Sequence, residues 1–206
     1  MSYQIIGKLA GALALTLTLA GCIDMTMEID VQSEETAKAT VTSTMGPDIY
    51  PMVKAGAAQE SADSEGFCKE EGAVLTENPD GGATCVQVSE GKFADLELGD
   101  SKDDGVKFET VSPGVVRMSF STADMKGEMA GTTGEEQMDE ETKAMMNAFF
   151  EGHTITIRAK GKEIVATQGM TISGDKTSAE VVIPFLDLIN GTTTLPDVVS
   201  ADIKVN

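Results

Sequence analysis

The chain has 206 residues, with 34 Asp+Glu against 15 Lys+Arg and a net charge of −19 at pH 7. Phosphate backbones need basic contacts, so this balance excludes nucleic acid as a partner and opposes adsorption of the protein body to an anionic lipid surface. Trp is absent and aromatic residues make up 4%, so core volume must come from Val, Ile, Leu, Ala and Met. Apolar positions are spread along the chain, which marks a folded domain and not a disordered stalk.

In chain order the first feature is a single positive charge at Lys8, an apolar run over residues 9–19, and small Ala20 and Gly21 before Cys22. The segment Leu19-Ala20-Gly21-Cys22 resembles the lipobox of a bacterial lipoprotein signal peptide. That resemblance implies cleavage before Cys22, palmitate-type acylation of its thiol and new amino group, and attachment to a membrane through this residue. A plain secretory signal is one rival and a membrane-spanning helix another. The apolar run makes a helix of roughly 17 Å, against a hydrocarbon core of about 30 Å, so it is too short to span. Two or more acyl chains give a stable tether where one does not. Ile23 follows Cys22 where an Asp would favour inner-membrane retention in enteric-type bacteria, so the periplasmic face of the outer membrane is expected if the host has two membranes. The division is then a signal peptide over 1–21 and a single extracytoplasmic domain over 22–206. Loss of Lys8 with the signal leaves 14 Lys+Arg against 34 acids, a net charge of −20.

Residues 23–31 alternate apolar and polar, predicting a half-buried strand with Ile23, Met25, Met27, Ile29 and Val31 on one face. A polar turn at 32–35 leads to a hairpin partner at 37–45, stopped by Gly46-Pro47-Asp48. Helix composition follows at 51–60, with Pro51 suited to the first turn. Short strands are predicted at 72–75 and 83–88 around Asn78-Pro79-Asp80-Gly81-Gly82. Cys68 and Cys85 bracket this segment. An exported chain meets an oxidising compartment, so a Cys68–Cys85 disulfide is expected; a redox or metal pair would want a C-x-x-C spacing or a neighbouring His.

Residues 93–98 fit a helical turn or a strand. A second hairpin is predicted from 106–111 and 115–120, closed through Ser112-Pro113-Gly114. The main helical region covers 122–152 and breaks at Gly131-Thr132-Thr133-Gly134, leaving 135–150 as the strongest helix. Its acids (Glu135, Glu136, Asp139, Glu140, Glu141) suit the N-terminal end of the dipole, and Met138, Thr142, Met145, Met146, Phe149 and Phe150 share one face. Alternating segments return at 154–159, 162–167, 170–173 and 178–184; a short helix or loop at 185–190 and a strand at 198–205 close the chain. The expected fold class is α+β: an antiparallel sheet of several hairpins packed on one main helix (about 135–150), with a short helix (about 51–60).

No catalytic motif accompanies these elements. His153 is the sole His, there is no Gly-x-Ser-x-Gly elbow, and no phosphate-binding Gly-rich fingerprint occurs. The expectation is no enzyme and no cofactor. Asp100-Ser-Lys-Asp-Asp-Gly105 fails the Ca²⁺-loop pattern, since Lys102 holds the third ligand position and Val111 the twelfth, so no metal site is expected there. The helical pair Met125 and Met129, with Met138, Met145 and Met146, offers soft thioethers that suit Cu(I). Met also fills irregular cores, and that reading is preferred.

The mature region resembles LppM-type lipoprotein domains. The resemblance runs through Cys22 and its alternating strand, the first hairpin, the Cys pair and the helical insert. It continues into the late hairpin run from His153-Thr-Ile-Thr-Ile-Arg-Ala-Lys-Gly-Lys-Glu-Ile-Val-Ala-Thr-Gln-Gly169 to Gly174-Asp175. It implies a β-rich envelope lipoprotein, with lipid interaction as one option, and carries over no catalytic residue. The expected role is non-enzymatic binding of a lipid or apolar ligand, with Met138, Met145, Met146, Phe149 and Phe150 as the candidate surface. The alternative is a structural or partner-binding lipoprotein, which predicts an exposed apolar patch or an open sheet edge.

Overall fold

Alternation decides the first elements. In the computed structural model, which describes residues 23–57, 67–70, 72–96, 105–123, 125 and 140–205, β1 (Ile23–Val31) and β2 (Thr36–Met45) form an antiparallel hairpin in register from Ile23↔Met45 to Val31↔Ala37. The Ser33 hydroxyl accepts hydrogen bonds from the amides of Glu35 and Thr36 and shapes the turn between them. Helix α1 (Tyr50–Ala57) follows, then β3 (Val74–Glu77), β4 (Ala83–Lys92), a 3₁₀ turn at Phe93–Asp95, β5 (Lys107–Ser112) and β6 (Val115–Ser121). Beyond these come α2 (Glu140–Phe150), β7 (Thr154–Lys160), β8 (Glu163–Gln168), β9 (Thr171–Ile172), β10 (Ser178–Pro184), α3 (Phe185–Ile189) and β11 (Val198–Lys204).

The strands make two sheets, one ordered β3-β4-β2-β1-β7-β10-β9 and one ordered β5-β6-β11-β8. Their inner faces share one core. Ile29, Ala39, Ile157, Val181 and Ile183 come from the larger sheet; Val116, Met118, Val199, Ala201 and Ile203 come from the smaller. Along β11 the period of two is plain, with Val199, Ala201 and Ile203 buried between exposed or half-buried neighbours. Such an arrangement is a sandwich, in which each sheet supplies the apolar face that the other needs.

This overturns the α+β expectation. The molecule is mainly β, with two sheets and small helices among the described residues. The helix expected over about 135–150 is described only from Glu140, and it is not the second layer: the smaller sheet is. Helix α2 joins the fold at its C-terminal end, where Phe150 stacks on Phe185 with ring centroids 5.4 Å apart. The short helix expected over about 51–60 is described as Tyr50–Ala57. The sheet is also not wholly antiparallel, because β1 and β7 pair in parallel from Met25↔Ile155 to Asp30↔Lys160. Helical periodicity shows where a helix forms, but the layer it packs on depends on which other apolar faces remain unpaired.

One end of the larger sheet collects the start of β1, the end of β2, the start of β4 and the end of β3, with Ile23, Met45, Ala83 and Glu77 side by side. There β7 begins and β10 ends, through the pairing Thr154↔Pro184. Helices α1, α2 and α3 all adjoin this end, because each directly follows or precedes one of these strand termini.

Candidate functional site

The outer face of the larger sheet carries a cluster of paired charges. Glu28 on β1, Arg158 on β7 and Glu180 on β10 lie directly opposite one another across three neighbouring strands. Outward positions recur every second residue, so Lys160 joins the group one step along β7. The Arg158 guanidinium donates to Glu180 Oε2 from Nη2 at 2.8 Å and from Nε at 3.1 Å, and to Glu28 Oε2 from Nη1 at 3.3 Å. Lys160 Nζ donates to Glu28 Oε1 at 3.1 Å. Together with Thr171, Ile172, Ser173 and Ser178 these side chains line an open cleft of about 330 Å³.

Electrostatics lock the cluster. Burial pushes the Glu28 carboxyl up, but hydrogen bonds and charge from Lys160 and Arg158 outweigh it and leave it below its ordinary value. The Glu180 hydrogen bond comes first in holding the Arg158 guanidinium above its ordinary value, against a smaller effect of burial. Two cations face two anions, so the cleft has little net charge in a strongly acidic chain. The Ser173 hydroxyl is engaged in the neighbouring turn: its Oγ donates to Asp175 Oδ1 at 2.6 Å and accepts from the Ser178 amide at 3.1 Å. Such a site is equipped to hold a ligand with ionic or polar ends.

A pH dependence follows from Glu28. A carboxyl with a lowered folded pKa stabilises the fold above its unfolded value, near 4.5, and that contribution is lost as pH falls through the folded value. Glu28→Gln should therefore lower the melting temperature at pH 7, and the gap to the parent should shrink as pH drops below about 4.5. Thermal melts of both proteins from pH 7 to pH 3 measure this. A gap that stays constant across the range would mean that the cluster does not hold Glu28 ionised.

The residues singled out from the sequence lie elsewhere. Cys22 and Met138 are outside the described residues, as are Met129 and the acidic stretch 100–104. Met145 and Met146 lie on α2, and the positions of their side chains are outside the description. Phe149 is half-buried and meets Phe150 edge to face at 5.5 Å. Phe150 is 5% exposed and its ring packs on Phe185. Met125 packs against the main core. Cys68 and Cys85 are joined as a disulfide, as the export reading expects.

His153 sits at the sheet end, its side chain 24% exposed, with Nδ1 3.4 Å from Asp24 Oδ2. That atom is buried without a formed hydrogen bond, while Asp24 Oδ1 accepts from the Thr154 amide at 2.9 Å.

The ionic cluster escaped sequence reading for a definite reason. Each member was visible as an outward charge on an alternating strand, yet Glu28 and Arg158 are 130 positions apart. Only the parallel β1–β7 pairing makes them neighbours.

No family model and no curated protein matches the chain. Among solved structures it is similar to the NMR structure of the folded domain of LppM from Mycobacterium tuberculosis. The two are 10% identical over 89% of this chain and 90% of that one, with a TM-score of 0.44. That domain is of the type that the mature region resembles in sequence; at this score the likeness carries no argument for function.

Proposed function

We propose that this is a lipid-anchored envelope protein with a non-enzymatic binding role, tethered through acyl chains on Cys22. The observation that carries the reading is the junction of Cys22 with the fold. The lipobox-like run ends at Cys22, and β1 begins at the next residue, Ile23. A tether of that length holds the sandwich against the bilayer, where a binding surface meets lipids and other envelope proteins.

Two ligand classes fit. A lipid or apolar ligand would use the sequence candidates Met138, Met145, Met146 and Phe149; Phe150 packs on Phe185. A protein partner would use the edge strand β3, all four of whose residues are exposed, with Val74 at 61% and Leu75 at 43%. Among the described residues this edge has no further strand partner, and exposed edge amides and carbonyls beside apolar side chains invite strand addition, so the edge supports the partner-binding reading.

The test uses protein purified from its own membranes and native mass spectrometry. The expected spectrum shows acyl mass on Cys22, and a co-purifying lipid or polypeptide separates the two classes. Cys22→Ser should move the protein from the membrane pellet to the soluble fraction. Absence of acyl mass on the parent, or unchanged sedimentation of the variant, rejects the anchor.

A further inference from the structure

Helix α1 is clamped from beneath and, among the described residues, exposed on its other side. Tyr50 is buried against Met45 and Ala83, with Ile49, Val53 and Phe67 packed around it. Its hydroxyl donates to Glu77 Oε1 at 3.0 Å, and Lys54 pairs with the same carboxylate. The Tyr50 and Phe67 rings meet edge to face at 6.3 Å, and Phe67 is tied into β4 through the adjacent Cys68–Cys85 disulfide. The helix is thus fastened to the sheet end by an aromatic contact, an ion pair and a nearby crosslink. Its opposite side exposes Pro51, Met52, Ala55 and Gly56, and Met52 is 61% exposed.

Two features of this surface stand out in this chain. The stretch 49–58 contains no acid, although the whole protein has 34. It also lies at the sheet end where β1 begins, one residue after Cys22. Consecutive Cα atoms are about 3.8 Å apart, so an acylated Cys22 cannot swing that end far from the headgroups. An exposed thioether on a fixed, acid-free helix would then face the interface, where burying apolar side-chain area is favourable.

We propose that α1 is the membrane-contacting element and that Met52 enters the interfacial region of the bilayer beside the anchor. This rests on the anchor reading above and adds to it the orientation of the domain. The surface fits a zwitterionic bilayer. Asp48, Asp80 and Glu151 lie around the same end and are exposed, so a strongly anionic surface would repel it. Glu77, at the same end, is already paired with Lys54 and Tyr50.

The experiment places one environment-sensitive fluorophore on the full acylated chain in phosphatidylcholine vesicles, through Met52→Cys or, as the far-end control, Lys162→Cys. Lys162 is exposed in the turn between β7 and β8, at the opposite end of the strands. The expected result is a blue shift at position 52, quenching there by doxyl-labelled lipid, and neither effect at position 162. Adding phosphatidylglycerol to the vesicles should reduce the shift at 52. Mass analysis of the same samples reports acylation of Cys22. An unacylated parent overturns the anchor and this orientation together. An acylated protein whose position 52 reports water, or reports the same surroundings as position 162, overturns the orientation alone.

Discussion

Replacing Ile203 with Ala is expected to cost about 2–5 kcal/mol of unfolding free energy. Ile203 is fully buried on β11, and its cross-strand partners Val116 and Ile164 are buried too. It also abuts the turn at Gly161, where its Cγ2 occupies the space that a Cβ would need. Truncation removes side-chain contacts on both sides of the central strand pair and leaves a cavity that rigid sheets cannot collapse to fill. A domain of this size typically has a total stability of about 5–15 kcal/mol, so the loss is large. Each kcal/mol should lower the melting temperature by roughly 2–4 °C. The control is Val165→Ala on β8, 56% exposed, where the change should stay within about 0.5 kcal/mol. Urea titration of the three proteins reads both effects. Equal midpoints for the Ile203 and Val165 variants would show that the core does not lie between the two sheets.

Loss of the Cys68–Cys85 disulfide is the second large effect. The crosslink closes a loop of 17 positions, for which chain entropy alone gives about 3 kcal/mol, less any residual structure in the reduced unfolded chain. The position of the bond says where the damage should appear. Cys85 is buried on β4 opposite Leu75 of the edge strand β3, and β3 has only this one described strand neighbour. The double variant Cys68→Ala/Cys85→Ala should therefore unfold at lower denaturant, and its β3 amides should lose hydrogen-exchange protection before those of β7 or β11. Protection lost evenly over all strands would indicate that the crosslink acts on the sandwich as a unit. An unchanged denaturation midpoint would mean that the closed loop adds no stability.

Much of the strand inventory was legible because the rule behind it is local. Alternating residues place side chains on opposite faces, and this shows directly in 23–31, 178–184 and 198–204. Turns were legible where chemistry demands them, as at Asn78-Pro79-Asp80-Gly81-Gly82. There the Asp80 carboxylate accepts from the Gly82 amide at 3.0 Å, and Gly81 takes a φ of 96°. The disulfide followed from the expectation of export and from there being two Cys beyond Cys22. The fold class went wrong at one step. A strong helical period over 135–150 was promoted to a packing layer, when the inward faces of β6, β8 and β11 were the ones that needed a partner.

Taken alone, the amino-acid order determined the pairing of Cys68 with Cys85 and the face each strand turns inward, because both depend on neighbouring residues or on residue counts. Tertiary structure decided which strands become neighbours. The parallel meeting of β1 and β7 brings Glu28 to Arg158, and the common end of six strands gathers the helices beside the start of β1. Pairing over such distances is set by the burial of whole faces against one another, a collective quantity that no local window of sequence contains.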